Sequence, residues 1–146
     1  MAITQAIANA FKQQLLEGDA NFKSSGGDVF KLALYTSSAT LNSATTAYAA
    51  TNEVPNSGSY SAGGGALVNN GTSIASGVAI VDFADLSFTS ATITARGALI
   101  YNTSSATTNA AVAVLDFGGD KSSTSGTFTV QFPAFSTSAA ILRISG

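Results

Sequence analysis

The spacing of apolar side chains along this chain changes once, at Gly18. Residues 3–17 carry apolar side chains at helical spacing, and after Gly18 the spacing changes to strict alternation. Alternation is the pattern of half-buried β-strands, and no second amphipathic helix lies between the alternating segments to make a parallel crossover. The chain therefore predicts an all-β fold, an antiparallel β-sandwich of jelly-roll or Ig-like topology with one N-terminal helix.

The helix is predicted over residues 3–17. Ile3, Ile7, Phe11 and Leu15 recur every four residues, and Gly18 is well placed to end the helix as its C-terminal cap. Two interpretations stay open. These four residues form an apolar stripe along the helix. Either this stripe packs on the sheet of its own domain, residues 19–146, or residues 1–18 form an arm that docks on a neighbouring subunit. In the second case these four apolar residues are candidates for a subunit interface.

Seven to nine strands are predicted after the helix. A short hairpin is expected between residues 66–69 and 72–75, because its centre, Asn70-Gly71, is the favoured two-residue hairpin turn. The other alternating segments are 29–36, 78–83, 86–88, 92–102, 111–117, 127–132 and 140–144.

Residues 37–65 form a connection longer than a compact domain normally carries without a function. Their many Ser and Thr side chains compete locally for backbone hydrogen bonds. Leu41, Tyr48, Val54 and Tyr60 give the loop apolar anchors. The loop is either solvated or ordered against another protein chain, and in the second case these four residues join the interface candidates.

The composition restricts the chemistry that this chain can perform. It has no His and no Cys, so it lacks the side chains that most often act as general base, thiolate nucleophile or transition-metal ligand. We therefore expect a protein that is not an enzyme and needs no cofactor. Six basic residues against eight acidic ones build no basic face for nucleic acid. The longest wholly apolar run, residues 110–115, is too short to span a membrane.

The charged residues leave two further alternatives. Asp82, Asp85, Asp116 and Asp120 lie at or just after the ends of predicted strands and could hold Ca²⁺, although Asp is also common at such positions because it caps turns. A hydrolase built on these carboxylates is the least favoured possibility, since the two glutamates of the chain have no acidic neighbour in sequence. Arg96 lies inside a predicted strand, where we expect it to pair with one of the Asp residues rather than to point to an interface, because an isolated charge on a half-buried face is costly.

Six segments in order carry a resemblance to a known family. They are AFKQQLLEGDANF, GDVFKLALYTSSATL, TAYAATNEV, GSYSAGGGAL, VDFADLSFTSATITARGALIYN and VAVLDFGGDKSSTSGTFTVQFP, followed by the strand AILRI. Taken together they resemble a widespread family of tailed-bacteriophage structural proteins, over nearly the whole chain. Members of that family look like head decoration (cement) proteins or small tail-associated components.

The resemblance implies a virion structural protein that stabilises the head lattice. Its expected partners are the major capsid protein and copies of itself, as a trimer, and its expected location is the capsid surface after synthesis in the host cytoplasm. No catalytic, cofactor or metal site comes with the resemblance. The alternative is a tail or tail-fibre component that binds a host surface glycan, for which Tyr48 and Tyr60 are the candidate stacking residues.

Overall fold

A computed structural model describes residues 2–133 and 141–145 of the 146-residue chain. These residues form two antiparallel sheets and one short helix, so the predicted all-β sandwich with an N-terminal helix is confirmed. The elements, in chain order, are β1 (Ala6–Ile7), α1 (Asn9–Glu17), β2 (Phe30–Tyr35), β3 (Gly65–Ala66), β4 (Asn69–Ala75), β5 (Val78–Phe83), β6 (Leu86–Asn102), β7 (Ala110–Val130) and β8 (Leu142–Ile144).

The large sheet has the strand order β1-β7-β6-β2-β3 and is built around one long hairpin. Strands β6 and β7 contain 17 and 21 residues, whereas the sequence predicted four shorter strands in this part of the chain. The difference has a local cause. Ser90 and Ser125 adopt positive φ angles at irregularities in the β6–β7 register, which absorb extra residues while the pairing continues beyond them.

The small sheet has the order β4-β5-β8, and here the predicted hairpin turn is wrong. Asn70 and Gly71 lie inside β4, where the Gly71 N–H donates to the side-chain oxygen of Asn69 at 2.7 Å and the register shifts by a bulge. The chain instead turns at Ser76 and Gly77, whose φ angles of 51° and 77° suit a tight type I′ turn.

Other strand predictions are close to the structure. The segment 78–83 is a strand with the predicted bounds, and the segment 29–36 is shortened by one residue at each end. The last strand begins at Leu142, and its predicted first residue, Ala140, lies outside the described residues.

A cluster of phenylalanines joins the helix to both sheets. The rings of Phe22 and Phe30 stack with centroids 4.5 Å apart, and the ring of Phe11 meets Phe22 edge-on at 5.8 Å. Phe83 of the small sheet packs against Phe30 of the large sheet at 5.8 Å. The opposite face of the large sheet is covered by the connection between β2 and β3, so its central strands are buried on both faces.

No helix in the described ranges has the length and apolar character needed to cross a membrane; α1 has nine residues.

Candidate interaction surface

The first residues of the chain form a strap along the large sheet. Ala6 pairs with Val114 of β7, and the N–H of Thr4 donates to the carbonyl of Leu41 at 2.9 Å. The helix predicted from residue 3 therefore begins only at Asn9. The open edge of β7 offers backbone partners to this segment, and tertiary pairing of this kind overrides a helical pattern.

The helix itself ends as predicted. Gly18 adopts the left-handed conformation with φ 78°, and its N–H donates to the last helical carbonyls. The predicted stripe is divided, however, because Ile3 and Phe11 are buried in the core of their own chain. Their assignment to a subunit interface is therefore corrected, whereas Ile7 stays exposed and Leu15 is partly buried.

An apolar groove lies between α1 and the small sheet. Its volume is about 550 Å³, and we call it the helix–sheet groove. Its described charged lining residues are Lys12 and Arg143. Leu16 is 90% exposed and Ile144 is 57% exposed. The apolar side chains that define it are Ile7, Leu15 and Leu16 on one side and Val81, Leu142 and Ile144 on the other.

The long loop is packed on its own sheet. Leu41, Val54 and Tyr60 are buried in the core, and the N–H of Val54 donates to the carbonyl of Leu34 in β2 at 3.0 Å. These anchors therefore hold the loop inside its own subunit, which corrects their assignment to an interface with another chain. The loop is also not freely solvated, because its side chains complete the core on this face of the sheet.

A single carboxylate organises the inner side of this loop. Glu53 accepts the hydroxyl of Tyr48 and the hydroxyl of Tyr60, each at 2.6 Å, and the N–H of Gly63 at 2.7 Å. Tyr101 completes the arrangement by donating its hydroxyl to the carbonyl of Gly63 at 2.6 Å. We call Tyr35, Tyr48, Tyr60 and Tyr101, which are all the tyrosines of the chain, together with Glu53, the tyrosine cluster.

The cluster favours neutral hydroxyl groups. Burial, reinforced by the nearby Glu53 carboxylate, raises the pKa of Tyr101 to about 12. Burial followed by the hydrogen bond to Glu53 raises the pKa of Tyr48 and of Tyr60 still further. The hydroxyls therefore remain donors to the carboxylate at physiological pH, and the cluster binds the loop to the sheet.

This geometry also bears on the glycan alternative. Tyr60 is 1% exposed, and its ring packs against Phe88. The ring of Tyr48 stacks on Tyr101 with centroids 4.8 Å apart. Tyr60 therefore has no free face for a sugar, which corrects its role as a stacking residue. Tyr48 is partly exposed and has one ring face occupied by Tyr101, so its role as a stacking residue stays a prediction.

The predicted pairing of Arg96 is confirmed. Its guanidinium lies 3.2 Å from a carboxylate oxygen of Asp116 on the neighbouring strand. The N–H of Gly118 donates to the same oxygen, and this bond, followed by the one from Arg96, lowers the pKa of Asp116. Both side chains of the pair stay partly exposed, so it is a surface ion pair.

Asp82 and Asp85, two further acids of the calcium hypothesis, accept hydrogen bonds from other segments of the chain. Asp82 accepts the side-chain amide of Asn70 at 2.9 Å, and Asp85 accepts the N–H of Phe132 at 2.9 Å. Within residues 2–133 and 141–145, no three acidic side chains are grouped closely enough to hold a metal ion. Asp116 accepts the N–H of Gly118, two residues on, which agrees with the turn-capping alternative for that residue.

Sequence reasoning missed two features of this surface. Glu53 was passed over because it has no acidic neighbour in sequence, although its place between Tyr48 and Tyr60 was the available signal. The sheet side of the groove was missed because Val81 and Ile144 alternate like any core strand residue. Nothing in that pattern shows which part of the small sheet the helix leaves uncovered.

Comparisons with protein-family models, with curated proteins and with solved structures found no match to this chain.

Proposed function

We propose that this protein is a non-enzymatic structural subunit of a tailed-bacteriophage virion, and that it decorates the head by binding the major capsid protein as a trimer. The observation that carries the proposal is the helix–sheet groove. An exposed apolar groove of this kind is a candidate site for a protein contact. The resemblance of six ordered sequence segments to phage structural proteins is the reason for proposing a virion as the assembly to which the chain binds.

The chemistry of the tyrosine cluster supports a structural role. Its carboxylate accepts hydrogen bonds from two tyrosine hydroxyls and one backbone N–H, and the hydroxyls of Tyr35 and Tyr101 donate to backbone carbonyls. Groups bound in this way hold a conformation, since each of the four tyrosine hydroxyls already donates a hydrogen bond. The long loop is thereby fixed as a rigid part of the surface.

Binding in this proposal comes from burial of apolar area. Leu16 is almost fully exposed in the isolated chain, and covering a side chain of this size contributes roughly 1.5–3 kcal/mol. Exposed Ser and Thr hydroxyls add hydrogen bonds of about 1 kcal/mol or less each. A symmetric lattice repeats each contact many times, so modest contacts are sufficient for stable decoration.

The proposal is tested on purified virions of the phage that encodes the chain. Quantitative mass spectrometry should find the protein in a copy number comparable with that of the major shell protein. Purified protein should also bind emptied, expanded heads that lack it, and should raise the temperature at which those heads rupture. Absence from virions would overturn the proposal, and a copy number of one tail ring would move the protein from the head to the tail.

A further inference from the structure

The side chains of this protein that lose an electron most readily are gathered in one place. The chain has no Cys, no Trp and no His, and its single Met is Met1. Its four tyrosines, by contrast, all belong to the tyrosine cluster. Phenols are the most easily oxidised groups that remain once thiols and indoles are absent, whereas a thioether such as that of Met1 takes up an oxygen atom. An oxidant that removes single electrons from this protein therefore acts on the tyrosine cluster.

Two rings of the cluster are stacked with their hydroxyl groups at the same end. The ring centroids of Tyr48, in the long loop, and Tyr101, in β6, are 4.8 Å apart, and the ring planes differ by 20°. The Tyr101 hydroxyl donates to the carbonyl of Gly63 at 2.6 Å, and the N–H of the same glycine lies beside the Tyr48 hydroxyl. Both hydroxyls therefore point to Gly63. In rings stacked in this orientation, the carbons that flank one hydroxyl face those that flank the other.

Glu53 can receive the proton that an oxidised phenol must lose. Burial, followed by the hydrogen bond to Glu53, raises the pKa of Tyr48, so the hydroxyl carries its proton before oxidation. Loss of an electron makes a phenol hydroxyl strongly acidic, and the Glu53 carboxylate lies 2.6 Å away along an existing hydrogen bond. The electron and the proton can therefore leave Tyr48 together, toward different acceptors.

Exposure selects the tyrosine that an oxidant meets first. Tyr48 is partly exposed, whereas each of the other three tyrosines is 2% exposed or less. The ring of Tyr60 packs against Phe88, which has no hydroxyl and forms no phenoxyl radical. Tyr48 is therefore oxidised first, and the phenol ring that it faces is that of Tyr101.

We propose that a one-electron oxidant joins Tyr48 and Tyr101 of the same chain by a carbon–carbon bond between their rings, which makes a dityrosine cross-link. The first oxidant equivalent takes an electron from Tyr48 while its hydroxyl proton passes to Glu53. A carbon beside the phenoxyl oxygen then bonds to the facing carbon of Tyr101, and a second oxidant equivalent takes the remaining unpaired electron. At the joined carbons, the hydrogen of Tyr48 moves to its oxygen and that of Tyr101 leaves as a proton. Two C–H bonds break, one C–C bond forms, and two electrons and two protons are lost.

The cross-link makes permanent a contact that otherwise depends on hydrogen bonds. It ties the long loop to β6 and closes a covalent ring of about 50 residues in the unfolded chain. Because a ring of that size lowers the entropy of the unfolded chain, the melting temperature of the oxidised protein should rise by roughly 10 °C. This modification belongs to the folded subunit alone and does not depend on the proposed function.

The test oxidises the purified chain with a ruthenium tris(bipyridyl) complex and persulfate under light, and maps the product by mass spectrometry. Trypsin cleaves after Lys31, Arg96 and Lys121, so Tyr48 falls in peptide 32–96 and Tyr101 in peptide 97–121. We expect these two peptides to be joined, with the sum of their masses less two hydrogens, in a chain that runs as a monomer on a denaturing gel. A product in which peptide 97–121 stays free, or is joined only in covalent dimers, would overturn the inference.

Variants identify the two rings and the proton acceptor. Tyr101→Phe keeps the buried ring and should lose the joined peptides, the dityrosine fluorescence and the rise in melting temperature, and Tyr48→Phe should lose the same three signals. The matched control Tyr35→Phe should cross-link like the parent chain. Glu53→Gln, with a native circular dichroism spectrum, should cross-link roughly tenfold more slowly or less, because an amide cannot take up the proton. Joined peptides in Tyr48→Phe, or an unchanged rate in folded Glu53→Gln, would show that the assigned pair or the assigned proton acceptor is wrong.

Discussion

Removing one hydroxyl from the tyrosine cluster should loosen the long loop, and Tyr60→Phe is the cleanest way to do so. The Tyr60 hydroxyl donates to Glu53 at 2.6 Å and accepts the N–H of Leu34 at 2.9 Å. Phenylalanine keeps the buried ring and its edge-on contact with Phe88. The substitution therefore removes two hydrogen bonds and leaves the packing in place.

The expected loss of stability follows from these two bonds. A hydrogen bond to a charged group contributes roughly 1.5–3 kcal/mol, and a buried N–H left without an acceptor costs roughly 1–3 kcal/mol. We expect Tyr60→Phe to lower the free energy of unfolding by about 4 kcal/mol, and the melting temperature by about 10 °C. Tyr48→Phe is the matched control. It removes one bond of equal length to the same carboxylate, from a partly exposed side chain where water can replace it, and should lower the free energy by about 1.5 kcal/mol.

Urea denaturation of the parent chain and both variants measures these differences, and hydrogen exchange locates them. Exchange of the Leu34 N–H should accelerate in Tyr60→Phe and stay protected in Tyr48→Phe. Equal losses of less than about 0.5 kcal/mol in both variants, with an unchanged slope against urea, would refute the role assigned to the cluster.

Three further predictions test other parts of the structure. Gly64→Ala should destabilise the chain by roughly 3 kcal/mol or more, measured by thermal unfolding, because φ is +79° and a Cβ would overlap the carbonyl oxygen of Leu32; Gly119→Ala, with open space around it, should change stability by less than about 0.5 kcal/mol. Because the folded state favours neutral tyrosines, stability should be intact below pH 10.0, where unfolded tyrosines stay protonated, and should be lost as pH rises through about 12, the pKa of Tyr101; tyrosinate absorbance that appears at the ordinary pH while the circular dichroism stays native would contradict this. Arg96→Ala should lower the melting temperature by less than the buried tyrosine substitution, since its ion pair is at the surface, and a larger drop would show that the pair supports the core.

The sequence predicted the fold class because periodicity is a local signal of burial. The change from helical spacing to alternation located α1 and the sandwich, and Gly18 correctly marked the end of the helix. The start of the helix could not be predicted, because Ile3 and Ile7 fit the helical pattern while their backbone partners lie far along the chain, at Leu41 and Ala113. Such partners are tertiary information.

The candidate surfaces also combine features that the local sequence predicts with features that depend on tertiary contacts. Alternation identified strands such as 78–83 but could not show that α1 leaves part of the small sheet uncovered. The apolar anchors of the long loop were recognised as anchors, yet nothing local indicated whether Val54 and Tyr60 would pack on their own chain or on another. The pairing of Arg96 was predictable in kind, because a charge on a half-buried strand needs a partner, and only the register selected Asp116.

The N-terminal strap has a consequence for biosynthesis. Ala6 is synthesised before its partner Val114, which follows only after about a hundred further residues. Contacts so distant along the chain form late in folding because loop closure must precede them. The segment around Ala6 therefore stays without its strand partner until β7 has been synthesised, and its pairing depends on the long β6–β7 hairpin being in place.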